Sequence, residues 1–233
     1  MFAVVSLVAG MTAAAIEPFV ARSGEQPVQG FLHRPAVPDG AGLVLTHGAG
    51  GNSQSPLLVE LGVAFSEIGL TVLRCDLPFR QLRPKGPPPA SASQADQAGL
   101  RCAVAALRRL IPGRVFLGGQ SYGGRQASML AASDPLLVSG LLLLSYPLHP
   151  PGKPAQLRTG HFSDLRTPTL FVSGTRDAFG SIEELETAIK LIAGPPRLVP
   201  IPDAGHSLLT KQNRMQLPRS IVEAFGQMFL SRR

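Results

Sequence analysis

The sequence is short of several things, and each shortage excludes something. Cysteine occurs only as Cys75 and Cys102. Neither belongs to a CxxC pair or has a histidine at metal-ligand spacing, and both stand among apolar residues. Buried free thiols are therefore expected, rather than a disulfide framework or a zinc site. His33, His149 and His161 also lack metal-ligand spacing, so no metal or organic cofactor is expected. Lysine is scarce as well: of 22 basic residues only Lys85, Lys153, Lys190 and Lys211 are lysines, and the arginines are scattered along the chain. The net charge of +7 thus arises without the dense basic stripe of a nucleic-acid binder, and no nucleic-acid partner is expected. A basic rim can still steer acidic substrates. The longest basic-rich stretch, residues 80–85, is broken by Gln81, Leu82 and Pro84. No internal repeat is visible.

No Lys or Arg precedes Arg22. The apolar residues 1–15 end in Ala13, Ala14 and Ala15, as a signal peptide would, but they lack its basic n-region. They are also too short for a membrane span and are interrupted by Gly10 and Thr12. The expectation is an N-terminal apolar extension over residues 1–15, a single domain over residues 16–233, a cytoplasmic location and no membrane partner. A start at Met11 suits the same pattern, and export is the alternative if residues 1–15 are a signal peptide.

What is present is a large apolar inventory: 44% hydrophobic residues and 25 glycines in 233 residues, enough for one domain with a sizeable core. Short apolar runs recur at residues 43–46, 71–74, 115–117, 141–145, 169–172 and 197–201. Their apolarity is continuous rather than alternating, the pattern of strands buried on both faces of a parallel sheet. Helical spacing falls between them, at residues 56–68, 92–110, 122–132, 181–192 and 212–230. Ser181 with Glu184 forms a capping-box pattern, which makes Ser181 an N-cap. Residues 16–20 and 28–33 predict an antiparallel start to the sheet. The alternation predicts an α/β fold, a doubly wound and mostly parallel sheet with helices on both faces. Residues 77–93 and 146–168 are proline-rich and read as loops. At about twenty residues the second is too short to form a cap domain, so the site should be open.

Ser121 sits in Gly119-Gln120-Ser121-Tyr122-Gly123, between a buried strand and a helix. So tight a strand-to-helix turn needs small neighbours, strains the serine backbone and projects its hydroxyl at a helix N-terminus, where developing negative charge is favoured. His206 follows the last strand and can reach across the sheet edge to act as base. Asp177 follows the strand before it and would orient the histidine. Asp203 is the rival acid, ranked second because the order Ser, Asp, His with the acid one strand ahead suits this arrangement. The glycine-rich segment Thr46-His47-Gly48-Ala49-Gly50-Gly51-Asn52 would bring backbone N–H groups to a tetrahedral oxyanion: Ala49 together with Tyr122, with Gly50 the alternative donor. His47 is read as a support of that loop. His149 stands where it can line the pocket. Arg125, in the first turn after Ser121, either binds a substrate carboxylate or pairs with a nearby acid.

Residues 119–128 (GQSYGGRQAS), 145–153 (SYPLHPPGK), 170–180 (LFVSGTRDAFG) and the tail AGHS at 204–207 resemble the KANL/Tex-type α/β-hydrolase-like family, as does the proline- and arginine-rich stretch 74–89. Tyr122 departs from the methionine expected after the serine. The resemblance implies an α/β-hydrolase fold and a Ser121–Asp177–His206 triad, and little about substrate. On this reading the chain cleaves a small-molecule ester or thioester through an acyl-serine, with dienelactone-hydrolase-like chemistry a close relative. The alternative is a non-catalytic binding or scaffold protein of the same fold.

Overall fold

The computed structural model describes residues 14–230. The expected extension at 1–15 lies outside them except for Ala14 and Ala15, and Ala15 already opens the first strand. The short apolar runs pair into one eight-stranded sheet of order β1-β2-β4-β3-β5-β6-β7-β8. β1 (Ala15–Ala21) and β2 (Val28–Arg34) join antiparallel. β3 (Gly42–Thr46), β4 (Thr71–Cys75), β5 (Val115–Gln120), β6 (Leu141–Leu144), β7 (Thr169–Gly174) and β8 (Pro196–Ile201) run parallel.

Strand residues alternate between two cores, because successive side chains point to opposite faces. Leu43, Leu45, Phe116, Leu142, Leu144 and Val172 pack under α1 (Pro56–Glu67) and α6 (Leu217–Phe225). Val44, Leu73, Leu117, Leu143 and Phe171 face α3 (Ala92–Arg108), α4 (Tyr122–Ser133) and α5 (Ile182–Ala188). The fold is thus an α/β-hydrolase fold with helices on both faces and no cap domain: residues 145–168 return from the carboxyl end of β6 to the amino end of β7 with only one 3₁₀ turn.

Four expectations need correction. The strand at 197–201 is not buried on both faces: it is the sheet edge, only Ile201 is buried, and Pro196 and Pro200, which lack N–H donors, are tolerated there. Residues 77–93 are not all loop, since buried Leu77 and Phe79 and a proline at the first turn fold α2 (Pro78–Leu82). The last helix begins at Leu217 rather than 212, with Pro218 in its first turn, where a missing N–H costs no hydrogen bond. The thiol of Cys75 is buried, but Cys102 is partly exposed; both are free. The capping box at Ser181 forms as read.

Candidate active site

β3 lies centrally, with β4 on one side and β5 on the other, and the chemistry-bearing residues gather at the carboxyl ends beside this reversal of strand order. Ser121 follows β5 with φ 50° and ψ −117°, a conformation that L-residues avoid. Two glycines make the turn possible. A Cβ on Gly123 would stand 2.4 Å from the His47 carbonyl oxygen, and one on Gly119 would stand 2.7 Å from Gly123 carbonyl carbon. The glycine spacing therefore reflects backbone crossing backbone at the elbow.

Asp177 lies beyond β7 and His206 beyond β8. His206 Nδ1 meets Asp177 Oδ1 at 3.0 Å and Oδ2 at 2.9 Å, and Ser121 Oγ lies 2.8 Å from Nε2. With Nδ1–H given to the carboxylate, Nε2 is left as the acceptor for the serine hydroxyl. The Asp177 side chain is 1% exposed and also accepts from Phe179 N–H at 2.9 Å. The Phe179 ring stacks on the imidazole at 4.0 Å between centroids. Asp203 is elsewhere: it sits at positive φ on an exposed turn, paired with Arg176.

The loop after β3 faces this row from across the elbow. Gly48 is so close that a Cβ there would meet Ser121 Cβ at 3.4 Å, whereas nothing lies within 4 Å of one built on Gly50. His47 is fully buried and does not reach the serine. Its Nε2 accepts from Leu77 N–H at 3.1 Å and its Nδ1–H donates to the Gly48 carbonyl at 2.8 Å. Burial lowers its pKa and keeps it neutral. Arg80 is buried beneath the same loop. Its guanidinium donates to the Gly51 and Ala49 carbonyls at 2.8 and 2.7 Å, and to those of Arg83 and Gly86 at 3.0 and 2.9 Å. Tyr122 is anchored from the other side: its hydroxyl donates to Asp96 Oδ2 at 2.7 Å, while Oδ1 accepts Phe79 N–H. Desolvation raises both the Asp96 and the Tyr122 pKa.

Above these groups opens a cleft of about 720 Å³, whose walls include Ala49, Gly50, Tyr122, Arg125, Arg158 and Phe179. His149, expected to line the pocket, is not on its wall. It is buried, its Nδ1–H donates to the Pro150 carbonyl and its Nε2 faces Glu184 at 3.3 Å; the Pro150 bond and then Glu184 raise its pKa. Its backbone N–H holds the Phe179 carbonyl at 3.0 Å. Among the described residues no group of three His, Cys, Asp or Glu side chains is arranged to hold a metal ion.

A family model described as alpha/beta hydrolase domain matches residues 39–226. The chain belongs to the α/β-hydrolase family. Three solved structures share its fold. A dienelactone hydrolase from Anabaena variabilis is 23% identical over 93% of this chain and 99% of its own, with a TM-score of 0.71. An alpha-beta serine hydrolase homologue from Coxiella burnetii is 17% identical over 89% and 96%, at 0.73. A serine hydrolase without lid from Xanthomonas campestris is 20% identical over 94% and 97%, at 0.67. No helix among the described residues of this α/β hydrolase is long and apolar enough to cross a membrane.

Sequence reasoning missed Arg80, Asp96, Phe179 and Arg158. Only Phe179 carried a usable signal, since it is a bulky aromatic two residues beyond the candidate acid, in a turn that the glycines at 174 and 180 bracket.

Proposed function

We propose that this α/β hydrolase cleaves a carboxylic ester or thioester of a small molecule through an acyl-Ser121 intermediate, and that it belongs to the KANL/Tex-type subgroup whose motifs it resembles. The observation that carries the reading is the continuous relay Ser121 Oγ to His206 Nε2 and His206 Nδ1 to Asp177. In this mechanism His206 takes the serine proton as Oγ attacks the acyl carbon, and Asp177 stabilises the imidazolium. The backbone N–H groups of Ala49 and Tyr122 hold the oxyanion. His206 then gives its proton to the leaving alcohol or thiol, and water repeats the sequence in reverse to free the acid.

The competing reading, a scaffold that keeps the fold without turnover, is separated by one experiment. A fluorophosphonate probe should label the native protein covalently and leave Ser121→Ala unlabelled. Folded native protein that takes no label would sink the enzyme reading. In the same assay Asp177→Asn should slow labelling by about a thousandfold or more, because the amide favours the wrong histidine tautomer; an unchanged rate would move the acid role to Asp203.

A further inference from the structure

Most arginines of the chain are accounted for by a partner. Arg34 pairs with Glu17, Arg101 with Asp134, Arg176 with Asp203 and Arg214 with Glu60. Buried Arg74 and Arg80 spend their N–H groups on His33 and on backbone carbonyls. Two other arginines stand on the wall of the cleft that holds Ser121. Arg125 has no carboxylate partner among the described residues, and its Nε is buried without a hydrogen bond. Among the described residues Arg158 has no carboxylate partner either, and its side-chain bond is a long one, 3.3 Å, to the Pro147 carbonyl.

The surroundings hold these two cations in place rather than neutralise them. The Tyr146 hydroxyl donates to the Arg158 carbonyl at 2.6 Å and lies beside the Arg125 guanidinium. Ser128 links the Arg125 carbonyl, at 2.9 Å, to His161, at 2.8 Å. His161 adds no counter-charge: burial first, then Arg125, pushes its pKa down to about 4. Glu184, on α5 beside this loop, is engaged by His149 and by the Ser181 backbone. The two guanidinium groups are close enough to repel each other, and Asp164, whose charge reaches His161, forms no ion pair with either among the described residues, so a bound anion would relieve the positive field there.

We propose that Arg125 and Arg158 form a carboxylate subsite beside Ser121, so that the substrates of this hydrolase are esters or thioesters bearing a carboxylate at the end away from the scissile bond. The proposal rests on the acyl-serine reading above and adds the substrate class to it. Arg125 is in the first turn after the nucleophile, so an anion held there is tied to the reacting carbonyl through one rigid helix. A carboxylate suits the planar fork of a guanidinium, which offers two parallel N–H donors.

The test is a series of monoethyl dicarboxylates, succinate to suberate, each compared with the ethyl monocarboxylate of equal chain length. At the best length the wild type should favour the charged ester by at least about tenfold in kcat/KM, the worth of one charge-assisted hydrogen bond. Arg125→Gln should collapse that ratio, and Arg125→Lys should restore part of it. Fluorophosphonate labelling is run in parallel. Labelling without a preference for the charged ester, or an equal loss on both esters in Arg125→Gln, overturns the subsite and leaves the hydrolase reading standing. A preference for phosphate-bearing esters with none for the monoethyl dicarboxylates overturns the carboxylate assignment. Absence of labelling in folded native protein removes the acyl-serine reading and the subsite with it.

Discussion

Arg80 offers the sharpest test of how the loop after β3 is held. It is 6% exposed, has no acidic partner among the described residues, and gives its N–H groups to four backbone carbonyls, two of them at Ala49 and Gly51 on the loop facing Ser121. Arg80→Met keeps the stem and removes every donor. Hydrogen bonds to a charged group net about 1.5–3 kcal/mol each, but water can reach the carbonyls toward Arg83 and Gly86, so a stability loss of about 2–4 kcal/mol is expected rather than the full sum. The kinetic effect should be distinct. If the Ala49 N–H holds the oxyanion as proposed, freeing its peptide lowers kcat by about 10- to 100-fold with KM little changed. The assay is steady-state hydrolysis of a short acyl ester together with urea unfolding of the same preparation. Arg80→Lys should recover only part of the loss, since an ammonium is a compact charge that cannot span carbonyls on two segments. A folded Arg80→Met enzyme whose kcat lies within about twofold of wild type would refute the reasoning, whatever its stability, because the loop would then be holding itself.

Gly123→Ala should cost about 3 kcal/mol or prevent folding, because its Cβ would press on the His47 carbonyl, which belongs to backbone. Gly50→Ala should leave the urea midpoint unchanged, since its Cβ would meet nothing; equal losses in the two would show that the elbow crossing is not what restricts residue size. His33 is buried against Arg74, and burial, then the Arg74 charge, pushes its pKa down to about 4. Between pH 6.5 and pH 4 the unfolded chain therefore binds a proton that the folded one refuses, so this contribution is whole above pH 6.5 and falls away toward pH 4, by about 3 kcal/mol at most. His33→Gln should flatten that part of the urea-midpoint profile, and an unaltered slope would exclude His33 as its source.

The skeleton of the fold was legible because burial on both faces leaves continuous apolar runs, and five of the six parallel strands, β3 to β7, are buried in that way. The edge position of β8 was not, because Arg197 to Ile201 carries nearly the same apolar content as a central strand and only the pairing order decides which strand ends the sheet. Ser121, Asp177 and His206 were legible because each follows a strand, and the sheet then brings strand ends together. The residues that hold them were not. Arg80 read only as the start of the longest basic-rich stretch, and Asp96 lay without a role of its own inside the helical stretch 92–110. What buries them is a set of carbonyls, an amide and a hydroxyl left unpaired where loops leave the sheet ladder, and that geometry has no period along the chain. Asp203 shows the same limit from the other side, since its separation from His206 is decided by the turn that pairs it with Arg176.

An open site has to be kept in order from below, because no cap closes over it. In this chain four of the segments that contribute to the cleft are fastened by a hydrogen-bonding group under their base. His47 and Arg80 secure the loop after β3; Asp96 secures the Tyr122 side of the elbow; Tyr146 secures the segment carrying Arg158; and the His149 backbone secures Phe179, which stacks on His206. None of these fastenings spends an acid on the cleft, for Asp96 faces Tyr122 and Phe79, and Asp177 faces the histidine. The wall therefore carries the guanidinium-bearing Arg125 and Arg158 and the supported loops of Ala49 and Tyr122, with no acid on it. Fixed donors need no reorganisation when charge appears, which is the main advantage that a lid would otherwise supply by expelling water. A scaffold without turnover has no need of donors held so rigidly, and it is this concentration of buried polar support beneath one cleft, rather than the elbow alone, that argues for chemistry there.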